Sequence, residues 1–170
     1  VWIVGYGAVQ AFAPQLLRAR EKSVAEIARL ATLWVGALAV IPAALAVAAL
    51  AAQEGGSIRD ALGDPEAWLT ATLIGGLLLF GAVFALNSSL HSYLILAFTS
   101  AERVTMDVGF YYMSNAAGRL VGTLLSGLSY QIGGLPLCLA AAALMAGASW
   151  IFARTIDPRT VEGAPTRRAL

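Results

Sequence analysis

The sequence predicts an all-α fold, a polytopic membrane helix bundle, and three observations carry that prediction. Apolar and aromatic residues fill 59% of the 170 positions, only 12% are charged, and the charged residues fall into short clusters separated by long uncharged stretches. A soluble domain carries about 25% charged residues. The uncharged stretches run over 1–17, 30–53, 67–101, 108–130 apart from Arg119, and 137–153. A helix rises about 1.5 Å per residue, so roughly 20 residues cross a hydrocarbon core about 30 Å thick. Lipid offers no hydrogen bonds to the backbone, so segments of this length cross as helices.

Taken in order, about five transmembrane helices are expected, near 1–17, 24–52, 66–97, 105–131 and 136–154. Together they form one helical domain over 1–155. The opening Val1-Trp2-Ile3-Val4 is apolar with no Met ahead of it, and it reads as the interior of a longer chain. Ser23-Val24-Ala25-Glu26 has capping-box spacing, in which a Ser oxygen and a Glu carboxylate satisfy orphan amides at a helix start. Pro42 lies inside the second helix and removes one backbone hydrogen bond there, which favours a bend. The stretch from Gln53 to Pro65 is rich in Gly and reads as a loop. The third helix exceeds a perpendicular span and must tilt, kink or project. Gly133-Gly134-Leu135-Pro136 reads as a tight turn between the last two helices. Residues 156–170 form a basic tail that is expected to be disordered.

Orientation follows from the Lys and Arg bias. If the loop 18–29, the loop 98–107 and the tail lie on one side, that side holds Arg18, Arg20, Lys22, Arg29, Arg103, Arg154, Arg159, Arg167 and Arg168. The opposite loops hold only Arg59. The C-terminus is thereby expected in the cytoplasm. Trp68, Tyr130 and Trp150, near segment ends, suit an interfacial aromatic belt.

Several functions are disfavoured. A net charge of +1 leaves no basic excess for a phosphate backbone, so no nucleic-acid partner is expected. With only Cys138 and His91 of their kinds, neither an internal disulfide nor a zinc site can be assembled. No phosphate-binding loop or nucleophile–base motif occurs. Neither enzyme activity, a cofactor nor a metal is expected.

The residues that could carry function are polar ones inside apolar segments. Ser114, Gly118, Gly122 and Ser126 recur every four residues as a stripe of small side chains, which suits close helix packing. Beside it runs Tyr111, Asn115, Arg119 and Thr123. An arginine deep in a membrane helix costs at least about 2.5 to 3.5 kcal/mol, so it is kept against protein or in a wet cavity. Its planar fork suits phosphate, arsenate or carboxylate. Substrate binding, pairing with a neighbouring helix and snorkelling are the three roles open to Arg119. Asn115, Tyr111 and Tyr112 are candidate ligand contacts beside it, and the tyrosines equally suit an interfacial belt. Asn87 and His91, four apart on one face of the third helix, add a candidate ligand contact and a candidate proton relay. An interhelical hydrogen bond is the plainer role for His91.

The run Gly118-Arg119-Leu120-Val121-Gly122-Thr123-Leu124-Leu125-Ser126-Gly127 resembles the eleventh helix of the major facilitator superfamily. The order of segments is similar to helices eight to twelve of that fold, an incomplete set. Asn87-Ser88-Ser89-Leu90-His91-Ser92-Tyr93-Leu94-Ile95-Leu96-Ala97, Val108 to Arg119, and Gly7-Ala8-Val9-Gln10-Ala11-Phe12-Ala13-Pro14-Gln15 look like the organoarsenical efflux permeases (the ArsJ family). The loop Arg18 to Arg29 lacks the superfamily's Gly-x-x-x-Asp-Arg-x-Gly signature.

The resemblance implies a secondary-active efflux transporter for arsenate resistance in the bacterial inner membrane, with this chain as its C-terminal half. It implies a small anionic solute such as 1-arseno-3-phosphoglycerate and a functional link to glyceraldehyde-3-phosphate dehydrogenase. Its partners would be the lipid bilayer and an N-terminal half that shares the solute site. A general drug or sugar transporter of the same superfamily, and a non-transporting scaffold built on the small-residue stripe, are the alternatives.

Overall fold

The computed structural model describes residues 2–16, 22–53, 63–99 and 103–155. Four helices account for nearly all of them: α1 (Trp2–Leu16), α2 (Val24–Gln53), α3 (Pro65–Phe98) and α4 (Val104–Thr155). Segments 54–62 and 156–170, which hold most of the expected second loop and the whole expected tail, lie outside the described residues. The charges of 17–21 and 100–102 do as well.

The starts of α2 and α3 have a local chemical cause. At α2 the Ser23 amide donates to Glu26 Oε2 at 2.8 Å, and the Glu26 amide donates to Ser23 Oγ at 3.2 Å. That reciprocal pair satisfies two amides that the helix leaves unbonded. At α3 the Asp64 carboxylate accepts from the amides of Glu66 and Ala67, each at 3.1 Å, and Pro65 follows it at the first helical position. Proline suits that place because its missing N–H is one the helix would leave unbonded anyway. Asp64 thus closes the expected loop as an N-cap. α2 continues as helix through Pro42, which is buried.

α4 is two helical arms, 104–132 and 135–155. Gly133 (φ −140°, ψ 19°) and Gly134 (φ 64°, ψ −157°) leave helical geometry between them. Ser126 Oγ and Cys138 Sγ are 3.2 Å apart, whereas twelve residues of continuous helix would separate them by about 18 Å. The arms therefore double back on each other as a hairpin. Gly134 occupies a backbone region that is essentially restricted to glycine.

α2 is the central element and packs on both α3 and α4, while α1 packs on α3. One core cluster joins Ile27 and Ala31 of α2 to Leu90 and Leu94 of α3. A second joins Leu45, Ala46 and Ala49 of α2 to Leu139 of α4, with Leu69 and Leu73 of α3 alongside. The start of α2 thus meets the end of α3 and the reverse, so the two are antiparallel. Gly76 makes their close approach possible, because a Cβ there would lie 2.5 Å from Leu45 Cδ2. Trp150 packs its indole against Gly36 of α2 and carries the Arg154 guanidinium 4.7 Å above its ring.

The outside of the bundle identifies its solvent. Leu33, Val40, Leu78, Leu120, Leu144 and Phe152 are among many large apolar side chains left exposed. A soluble monomer rarely exposes more than a few hundred Å² of contiguous apolar surface. Three of the helices, Val24–Gln53, Pro65–Ile95 and Val104–Thr155, are long and apolar enough to cross a membrane, and the fold is that of a helical membrane bundle. Three hydroxyls on the outward arm of α4 are satisfied within the helix. Ser114, Thr123 and Ser129 each donate to the carbonyl four residues back, as a hydrocarbon environment requires. α3, at 34 residues, is about 51 Å long and exceeds the hydrocarbon thickness.

Substituting Gly134→Ala should destabilise the hairpin by about 1 to 3 kcal/mol, since a Cβ is strained in that conformation. Thermal unfolding in detergent reads this directly. An unchanged midpoint would mean that the two arms do not turn at Gly134.

Candidate functional site

The packing that makes α2 central leaves a gap, because α3 and α4 touch each other far less than either touches α2. That gap is a cavity of about 280 Å³. α3 lines it with Phe80, Phe84, Asn87, Ser88 and His91, which recur at i, i+4, i+7, i+8 and i+11 and so share one helix face. Val35 and Leu38 of α2 form its floor. The outward arm of α4 contributes Tyr111 and Asn115, and the returning arm contributes Ala146 and Ser149. Asn87 lies eleven residues before the end of α3, about 16 Å along the axis.

One end of the lining is aromatic. Phe80 and Phe84 stack with centroids 6.1 Å apart and planes 8° from parallel. Beyond them the wall turns polar with Asn87, Ser88, His91, Tyr111, Asn115 and Ser149. None of these is an Asp, Glu, Lys or Arg.

Asn87 is the most unusual member. Its side chain is 8% exposed and the only buried polar one in the core described, and Oδ1 has no hydrogen-bond partner. A buried, unpaired amide oxygen costs about 1 to 3 kcal/mol. The other such atom among the described residues is Trp34 Nε1, on α2 and outside the cavity lining.

His91 hydrogen-bonds through Nδ1 to the Asn87 carbonyl oxygen at 2.9 Å. A carbonyl only accepts, so Nδ1 carries the proton and Nε2 of the neutral ring is the free acceptor. The bond expected to reach another helix is therefore made within α3, because His91 sits four residues after a carbonyl that it can reach. Among the described residues no group of three His, Cys, Asp or Glu side chains comes together to hold a metal ion.

The candidates from the sequence thus divide. Asn87, His91, Tyr111 and Asn115 come together at the cavity. Tyr112 does not, being 66% exposed and edge-on to Tyr111 at 5.5 Å between centroids. Arg119 lies outside the lining on the exposed side of α4, one helical turn beyond Asn115. In the small-residue stripe, Ser114, Gly118, Gly122 and Ser126 are all exposed, and a Cβ at either glycine would meet nothing within 4 Å. The stripe packs no other helix among the described residues except where Ser126 meets Cys138 of the returning arm, because the outward arm lies at the edge of the bundle. Asp107, the acid at the start of that arm, accepts a hydrogen bond from Thr99 Oγ1 and so ties the end of α3 to α4.

Sequence reasoning missed Phe80, Phe84 and Ser149. The first two could have been found by extending the Asn87–His91 face backward by helical spacing. Ser149 offered only a lone hydroxyl in an alanine-rich run. No protein-family model, curated protein or solved structure matches the chain.

A wet cavity predicts selective chemistry. In a Cys138→Ser background, Ser88→Cys should react with a charged, water-soluble thiol reagent at least about tenfold faster than Leu78→Cys on the lipid-facing side of the same helix. Thiolate chemistry needs water. Equal rates would remove the cavity.

Proposed function

We propose that this chain forms part of a secondary-active membrane transporter and that the cavity between α3 and α4 is its solute site. The observation that carries this reading is a cavity inside a bundle of membrane-crossing helices whose wall gathers Asn87, Ser88, His91, Tyr111, Asn115 and Ser149. Polar groups are costly in hydrocarbon, and those kept there mark substrate or ion pathways. A chamber of this size lies just below the roughly 300 to 1,000 Å³ of drug-sized pockets, which favours a small solute.

The narrower reading is efflux of a small organic anion, with an organoarsenical such as 1-arseno-3-phosphoglycerate as the cargo implied by the family resemblance. Its physical support is the row Tyr111, Asn115, Arg119. The first two members line the cavity, and Arg119 follows Asn115 by about 6 Å of helix rise. Long helical side chains lean toward the N-terminus of their helix, which brings an arginine over the turn that holds Asn115. The guanidinium would then meet an anionic group at the mouth while the body of the solute occupies the chamber. A second helical half would face the outward arm of α4, where residues 112–128 are exposed. Lys22, Arg29, Arg103 and Arg154 all fall at the end of the bundle where α2 starts and α4 finishes, in keeping with a cytoplasmic C-terminus in the bacterial inner membrane.

The test is resistance. Arsenate-sensitive bacteria that express the gene together with glyceraldehyde-3-phosphate dehydrogenase should grow in arsenate, and Arg119→Gln should abolish that protection. Loss of a charge-assisted contact worth about 1.5 to 3 kcal/mol lowers affinity by about 10- to 150-fold. No protection by the unaltered gene would contradict the arsenical reading. The uncharged lining favours one second reading, a carrier of a neutral sugar or drug. Transport that survives Arg119→Gln would select it.

A further inference from the structure

The seam between α2 and the returning arm of α4 has a face that the chamber does not use. Leu139 meets Leu45, Ala46 and Ala49, and Trp150 meets Gly36, so the two helices run antiparallel. Arg29, Leu33, Gly36 and Val40 share one face of α2 at i, i+4, i+7 and i+11, and Leu144, Gly147, Ile151 and Arg154 share one face of α4 at i, i+3, i+7 and i+10. The chamber is lined by other positions of the same helices, Val35, Leu38, Ala146 and Ser149. Arg29 and Arg154 are exposed, and so are Leu33, Val40, Leu144 and Ile151. From the contact of Trp150 with Gly36, Arg29 lies about 10 Å and Arg154 about 6 Å toward the same end of the bundle, so the two differ in depth by about one helical turn. Beyond them toward the middle of the bundle the strip is apolar, and a Cβ at Gly147 would meet nothing within 4 Å.

We propose that this face holds an anionic phospholipid, with its phosphate at Arg29 and Arg154 and an acyl chain laid along the apolar strip past Gly147. The site is independent of the solute reading given above. The Arg154 guanidinium is held 4.7 Å over the Trp150 ring. Attraction to the face of a ring fixes the position of the cation without consuming its N–H donors, which stay available for phosphate oxygens. Neither arginine forms a salt bridge among the described residues. Glu26, the acid nearest Arg29 along α2, instead accepts at Oε2 from the amide and the hydroxyl of Ser23. Basic groups between membrane helices at one end of a bundle suit anionic headgroups. Here the exposed apolar strip continues from them, so the occupant has a hydrocarbon tail as well as a phosphate. The choline of a zwitterionic lipid would bring a further cation to the two arginines, whereas a glycerol headgroup brings none.

The test presents the full chain in dodecyl maltoside with equal amounts of phosphatidylglycerol and phosphatidylcholine of the same acyl chains, and native mass spectrometry counts the lipid retained. Phosphatidylglycerol should be preferred at least about tenfold, since each arginine near a membrane surface favours an anionic headgroup by roughly fivefold. Replacing both residues, Arg29→Gln with Arg154→Gln, should bring the two lipids to within about twofold of each other. Arg103→Gln removes a charge from the same end of the bundle but away from the seam, and should leave the preference intact. Gly147→Leu fills the open space and should lower retention of both lipids alike. Equal retention by the unaltered chain, or a preference that survives the double substitution, would overturn the site. So would an equal loss in Arg103→Gln, which would reduce the effect to the general charge of that end, and so would unchanged retention in Gly147→Leu. Displacement of phosphatidylglycerol by glycerol 3-phosphate would assign the arginines to a soluble anion and refute a lipid.

Discussion

The structure depends on one constraint: a polar group placed in hydrocarbon must find its partner inside the protein. The constraint dictates helices, since only they pair every backbone group within one segment. It accounts for the hydroxyls of Ser114, Thr123 and Ser129 turned back onto their own helix. It also accounts for the caps at Ser23 and Asp64, which satisfy amides at the helix ends. Against this background Asn87 Oδ1 and Trp34 Nε1, buried without a partner, are the exceptions among the described residues.

Cohesion in such a bundle comes from close packing, since lipid is as apolar as leucine and gives little hydrophobic drive for helices to associate. Ala31, Ala46 and Ala49 of α2 and Gly76 of α3 supply small surfaces where the helices meet. That packing concentrates on α2 and leaves α3 and the outward arm of α4 apart. Phe80 and Phe84 line the chamber beside the small Ser88, Ala146 and Ser149, while alanines stand among Leu and Ile at the contacts.

Much of this was legible in the sequence because the determinants are local. Charge clusters bounded the helices, Ser23 and Glu26 stood at capping spacing, and Gly133-Gly134 marked the turn that makes α4 a hairpin. The polar face of Asn87 and His91 was readable from four-residue spacing. What could not be read was pairing between helices. Nothing local says that Tyr111 and Asn115 face α3, that Ser149 joins them, or that the chamber stops one turn short of Arg119. The stripe of small residues pointed to packing, yet the glycines within it stand open, because periodicity identifies a face and not what lies against it.

Water-edited solid-state NMR of the chain in lipid bilayers measures the central claim most directly, since magnetisation passes from water only to side chains that touch it. Ser88, His91 and Asn115 should receive it, while Leu78, Leu79 and Leu144 should not. A dry Ser88, or transfer as strong at the leucines as at the chamber wall, would contradict the account.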